Sequence, residues 1–424
     1  MPLKNPIRPT WNPFSKYADA YEKRVDKLLR KVAFMGVLEA QREVLDLMKG
    51  NLVILNLWLE ARFKGYKYLS KGKRKRLYRN AQRIADTFEI YVQQSNITVE
   101  ALREVVEKTG VKMPNAPADQ ERLIYIAKIM NFLQPGGSRY VYLEGASFGK
   151  LLIDIGSDQK MIGDCNQIVT FYTYLYSLKY DIADLQIKLP KNHVCLHFRG
   201  IDIEATAGGF ANYKDYEFIL PIVELISTNL LDVSDFRDKQ IQISNREFLR
   251  SSQLAYRISS QKDLVTKNLE ASYHNVALEA MQGNDFETAL FFAEEAAKDL
   301  KPAILHNAVV YYVKAHNFGR ARFFLSKGAD GELLKYINEQ EAFYNFEKNN
   351  LARARELFQT TGNQEMIKAC YAKEYNQLQK RVAGLKDLTT MRSYKSVYRQ
   401  MLDLAHKMED SQLAANLQDI LKQL

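Results

Sequence analysis

One pattern recurs in the last third of the chain and leaves few folds open to it. Residues 275–292 align without a gap on residues 307–324, Asn275 lying over Asn307, Phe286 over Phe318 and Ala289 over Ala321, an offset of 32 residues. A third copy, at an offset of 33, puts Leu351 under Phe318 and Ala354 under Ala321. Between the two halves of each copy stand turn residues, such as Gly283, Asn284 and Asp285 or Asn349 and Asn350. A unit of this length is a pair of helices, and the small alanine in its second helix permits close approach. A single pair cannot bury its own apolar face, so the pattern predicts a stacked helical array over residues 266–424.

The whole chain has 424 residues, 46% of them hydrophobic and 26% charged, which excludes disorder as its dominant state and suits two or three domains. Its strongest charge-free apolar run, residues 51–59, is about half the roughly 20 residues a membrane-spanning helix needs, so no transmembrane segment is expected. Four of the ten prolines fall in the first fourteen residues, where a signal peptide needs an unbroken apolar helix; the protein is read as cytoplasmic. Cys165, Cys195 and Cys370 cannot build a disulfide framework, and their spacings are not those of a zinc finger.

The net charge of +10 is concentrated in residues 62–79, where Arg62, Lys64, Lys67, Lys71, Lys73, Arg74, Lys75, Arg76 and Arg79 stand without an acidic residue. Phe63, Tyr66, Tyr68 and Tyr78 are interleaved with them. Such a stretch can contact nucleic acid, phosphates by charge and bases by stacking, or an anionic membrane surface, or simply be a solvated basic helix pair.

Residues 1–15 read as an irregular arm and 16–113 as a basic all-helical region, with apolar positions such as Val25, Leu28, Leu29 and Val32 at helical spacing. Pro114 and Pro117 end it, and Asp119 reads as the N-cap of a helix reaching Leu133. A mixed α and β domain is expected over 119–235, with short strands at 140–143, 151–155, 185–189, 194–198 and 201–205 around a tyrosine-rich helix at 168–178. A helical connector spans 236–265.

The residues that can carry chemistry lie in that mixed domain. Cys165 follows Gly163 and Asp164 and opens a helix, where the positive end of the dipole favours a thiolate. Along a strand His193, Cys195 and His197 share one face, as do Asp202 and Glu204 on the next, leaving Leu196, Phe198, Ile201 and Ile203 for the core. Two hairpin registers keep that division. A four-residue loop at 197–200 sets His193 opposite Glu204; a two-residue turn at Arg199 and Gly200 sets His197 opposite Asp202 and His193 opposite Thr206. In either, an imidazole beside a carboxylate has a fixed tautomer and serves as base toward a thiol. A competing reading converges His193, Cys195 and His197 on zinc.

The order Cys165, His193 some 28 residues on, and Glu204-Ala205-Thr206 followed by Gly208 and Gly209 resembles the transglutaminase-like superfamily of papain-type folds. The resemblance implies an α+β domain with Cys165 as nucleophile, His193 as base and Glu204 as the orienting acid, which favours the four-residue loop; Asp202 is the rival acid. Gln159, six residues before the cysteine, matches the position of the oxyanion glutamine in papain-like proteases. The array at 266–424 resembles tetratricopeptide repeats, which implies a protein partner. The fold class expected is α+β overall: a helical amino-terminal region, a transglutaminase-like domain and a carboxy-terminal α-α repeat array. The function implied is thiol-dependent hydrolysis or transfer of a peptide or protein amide, without cofactor or metal; the alternative is a binding scaffold that has lost catalysis.

Overall fold

Residues 52–60 are buried without interruption, so the apolar run too short to span a membrane is a helix of the protein core. The structure, a computed structural model, describes residues 16–134, 139–144, 147–152, 160–232, 243–328 and 330–424. Helix α1 (Ala20–Val32), capped by Asp19, packs on α2 (Val37–Arg62), which kinks at Asn51, where the side chain takes the Ile54 N–H and restarts the helix. Ser70 caps α3 (Lys71–Gln94), and α4 (Val99–Glu107) and α5 (Pro117–Leu133) follow. Helix α5 starts three residues earlier than an N-cap at Asp119 suggested, because proline at the first helical position has its φ already set and no N–H to leave unpaired. Asp119 lies in the first turn and pairs with Arg199 at 3.3 Å.

Part of the basic stretch is turned inward. Arg74 donates to the fully buried Glu22 at 2.7 Å, Tyr78 donates to the same carboxylate at 2.5 Å, and Lys64 donates to the Asp232 carbonyl at 2.7 Å. With Tyr66 and Tyr78 in the core, two of the four rings expected to stack on bases have no open face. Arg62, Lys67, Arg76 and Arg79 remain exposed.

Strand β1 (Tyr140–Tyr142) pairs in parallel with β2 (Met161–Gly163), and α6 (Phe148–Leu151) lies between them in the chain. Leu151 and Leu152 therefore end a helix and do not begin a strand; residues 153–155 are outside the described set. After α7 (Cys165–Ser177) come β3 (Gln186–Leu189), β4 (Cys195–Phe198), β5 (Ile201–Glu204), β6 (Gly209–Ala211) and β7 (Phe218–Pro221), an antiparallel sheet in the order β6-β5-β4-β3-β7. Helices α8 (Glu224–Leu231) and α9 (Asn245–Ile258) follow. One apolar core joins side chains from α1 through α9, among them Trp58, Phe88, Phe132, Phe171, Leu196 and Ile226. The helical and mixed segments thus form one unit, residues 1–276, and the second unit begins at 277, inside α10 (Lys262–Gln282).

The second unit is all helical: α11 (Phe286–Ala296), α12 (Lys301–Lys314), α13 (Phe318–Leu325), α14 (Gly331–Glu347), α15 (Leu351–Thr361), α16 (Gln364–Val382), α17 (Leu388–Ser393), α18 (Lys395–Met408) and α19 (Ser411–Gln423). The repeat is visible in its backbone. Asn284, His316 and Asn349 all turn with positive φ, at 59°, 54° and 60°, immediately before the helices that begin at Phe286, Phe318 and Leu351. Ala289, Ala321 and Ala354 have no exposed surface, as close helix contact requires. The architecture is mixed α+β with helix dominant, and no helix among the described residues is long and apolar enough to cross a membrane.

Candidate active site

The amino terminus of α7 is fixed by a reciprocal cap. Asp164 accepts the N–H groups of Asn166 at 3.1 Å and Gln167 at 3.5 Å, while the Gln167 side chain accepts the Asp164 N–H at 3.0 Å. Gly163 allows this turn to sit tightly on α6, since a Cβ there would come within 2.7 Å of the Leu151 side chain. Gln167 also donates to Asp232 at 2.9 Å. Burial, with the nearby Asp232 charge adding to it, raises the Asp164 carboxyl to about 7. Cys165 follows as the first helical residue and is half-buried, whereas Cys195 and Cys370 are buried.

The hairpin takes the two-residue turn. Leu196 pairs with Ile203, His197 with Asp202 and Phe198 with Ile201. Arg199 and Gly200 both have positive φ, 50° and 86°, the turn whose twist matches that of its strands. The four-residue loop favoured by the family resemblance is therefore corrected. Even so, His193 meets Glu204. In this register the two are diagonal neighbours, and His193 lies before β4 begins, just after Asn192 bends the chain with φ 56°. Its Nε2 comes within 2.7 Å of Glu204 Oε2.

Glu204 is held from three further directions. The Thr206 N–H donates to Oε1 at 3.0 Å, the Thr206 hydroxyl donates to the same oxygen, and Tyr213 Oη donates to Oε2 at 2.6 Å. Burial pushes this carboxyl up, but the hydrogen bonds from His193, Thr206 and Tyr213 outweigh it and hold the group at about 2. His193 is raised to about 10, first by its hydrogen bond to Cys165 and then by Glu204, with burial opposing. Because Nε2 is taken by the carboxylate, Nδ1 is the ring nitrogen left for the sulfur. The carboxylate thus holds the imidazole by a hydrogen bond, and Cys165 is the neighbour that most raises it.

A histidine raised above its unfolded value of about 6.5 contributes stability that is complete below that value and lost as pH climbs through the folded one. Wild type should therefore be more stable than His193→Gln at pH 6, and the gap between their thermal midpoints should close toward pH 10. A gap that stays constant across that range would contradict the assignment.

Asp202 belongs to a second buried group. It accepts from His197 Nδ1 at 2.6 Å, from Lys188 Nζ at 2.8 Å and from the Tyr213 N–H at 2.7 Å. It does not reach His193, which corrects its candidacy as the orienting acid. The supposed zinc ligands also divide. His193 turns to Glu204 and His197 to Asp202, and the described residues contain no group of three or more side chains able to hold a metal. Between them Cys195 is fully buried, and burial pushes its thiol up.

Tyr172 and Tyr176 are core residues behind the site, and Tyr174 is half-buried. Gln159 lies outside the described residues. Sequence reasoning missed Lys188 and Tyr213, which carry no local signal; the Asp164-to-Gln167 spacing of a capping box was there to be read. No protein-family model and no curated protein matches this chain.

Proposed function

We propose that the chain is a thiol-dependent acyl-transfer enzyme of the transglutaminase-like type, acting on a peptide or protein amide. The observation that supports it is the 2.7 Å hydrogen bond between His193 Nε2 and Glu204, with the half-buried Cys165 as the neighbour that most raises the imidazole. Cys165 Sγ, its proton already held by His193, adds to the amide carbonyl. Collapse breaks the C–N bond, and the imidazolium gives its proton to the departing amine. The resulting thioester is resolved by water or by a second amine, which His193 deprotonates. The backbone N–H of Cys165, at a helix start, donates to the developing oxyanion.

On this reading the repeats of the second unit resemble tetratricopeptide repeats and present a protein partner, and the exposed bases Arg62, Lys67, Arg76 and Arg79 offer contact to nucleic acid or an anionic membrane. A cytoplasmic setting suits a mechanism that needs its thiol reduced. Limiting iodoacetamide at neutral pH, followed by peptide mass spectrometry, should label Cys165 ahead of Cys195 and Cys370. Equal or slower labelling would overturn the enzymatic reading and leave the domain as a scaffold that has lost catalysis.

A further inference from the structure

The Lys188–Asp202 pair is buried, 5% and 1% exposed at the side chain, and a buried ion pair is retained only at a cost in desolvation. Its contacts indicate what it does. Lys188 Nζ donates to the Tyr213 carbonyl at 2.7 Å, and Asp202 Oδ2 accepts the Tyr213 N–H at 2.7 Å. One pair therefore grips both polar groups of a single peptide residue in the loop between β6 and β7. His197 holds the other oxygen of Asp202 at 2.6 Å, which stops the carboxylate from rotating away. The side chain of the gripped residue reaches back to the site, where its hydroxyl donates to Glu204 Oε2 at 2.6 Å, the same oxygen that faces His193 Nε2 at 2.7 Å. Its ring also stands edge-on to the imidazole, with centroids 6.1 Å apart and planes at 65°.

We propose that Tyr213 is a positioning residue for the reaction, held by Lys188 and Asp202 so that its hydroxyl fixes the Glu204 carboxylate in the plane that serves His193. The proposal rests on the Cys165, His193 and Glu204 assignment above. A carboxylate with only the two Thr206 donors, both on Oε1, can turn Oε2 away from the imidazole. Tyr213 closes that freedom from the opposite side, and because its backbone is clamped at both ends the hydroxyl cannot follow the carboxylate if it moves. The charged and titratable groups facing Tyr213 are Glu204 foremost and His193 across its ring, with Cys195 and Asp202 also acting on it.

The test is a double-mutant cycle on the rate of Cys165 alkylation by iodoacetamide, measured from pH 4 to 8 in the full chain. Tyr213→Phe removes one oxygen from a half-buried ring, and its thermal midpoint is recorded alongside. It should slow alkylation roughly 3- to 10-fold, as loss of one ordinary hydrogen bond does, and shift the acid side of the profile upward, since a carboxylate free to turn supports the imidazolium less. In a Glu204→Gln background the same change should do nothing further. Incorporating 3-fluorotyrosine at position 213 keeps the ring and strengthens the donor, so it should move the acid side downward, an opposite sign that a purely structural role cannot give. If Glu204→Gln slows alkylation but Tyr213→Phe is silent, or slows it equally in both backgrounds, the positioning role is wrong and the triad survives. If Glu204→Gln and His193→Ala are themselves silent, the triad is wrong and the role of Tyr213 falls with it.

Discussion

Replacing His193 with alanine is expected to slow alkylation of Cys165 by roughly 100-fold at neutral pH, the low end of what a positioned base contributes. In the proposed mechanism the imidazole serves the sulfur, and Glu204 holds its Nε2. Glu204→Gln is expected to have a smaller effect, because Thr206 can still donate to the amide oxygen while the charge that supports the imidazolium is gone. The rates follow from timed quenching and mass spectrometry of the peptide that contains Cys165. An unchanged rate in His193→Ala would remove the base from the proposed mechanism.

Loss of the second carboxylate should be felt in stability. Asp202→Ala leaves the Lys188 ammonium buried beside an empty acceptor and frees both His197 and the Tyr213 N–H. Removing one member of such a buried pair costs about 3–5 kcal/mol, since the remaining charge keeps its desolvation penalty. The second unit contains no tryptophan and Trp58 is fully buried in the first, so urea unfolding followed by tryptophan fluorescence reports on the first unit. The midpoint should fall sharply in Asp202→Ala and much less in Glu204→Gln. Equal midpoints in Asp202→Ala and wild type would mean that Lys188 finds water, and that the cluster is not the sealed anchor described here.

Features set by local chemistry were readable in the chain. The Cys165 helix start, the apolar alternation of Leu196, Phe198, Ile201 and Ile203, and the recurrence of Ala289, Ala321 and Ala354 all follow from periods of one strand or one helix. The pairing of His193 with Glu204 was also expected, but for a different reason from the one the structure gives. Direct opposition across the hairpin carried that expectation, whereas twist and the Asn192 bend bring a diagonal pair together. The turn itself carried a weak signal, because Arg199 occupies a positive-φ position where asparagine or glycine is usual. Strand β6, only Gly209, Phe210 and Ala211, is too short to show the alternation that announces a strand. The inward pairing of Lys64, Arg74 and Tyr78 depends on Glu22 and Asp232, which are far away in sequence, and no local pattern announces a buried partner. For the same reason the helical region could not be seen to share a core with the sheet: an amphipathic helix shows that it has a buried face, not what covers it.

The most direct measurement is the second-order rate constant for alkylation of Cys165 at pH 6, in the folded protein and in the same protein unfolded in urea. At that pH an ordinary cysteine, with a pKa near 8.5, is less than about 1% thiolate. If Cys165, His193 and Glu204 act as a nucleophile, base and orienter, folding should raise the rate at least roughly tenfold, and His193→Ala should abolish the gain. A folded-state rate equal to or below that of the unfolded chain would show that this fold buries an inert cysteine.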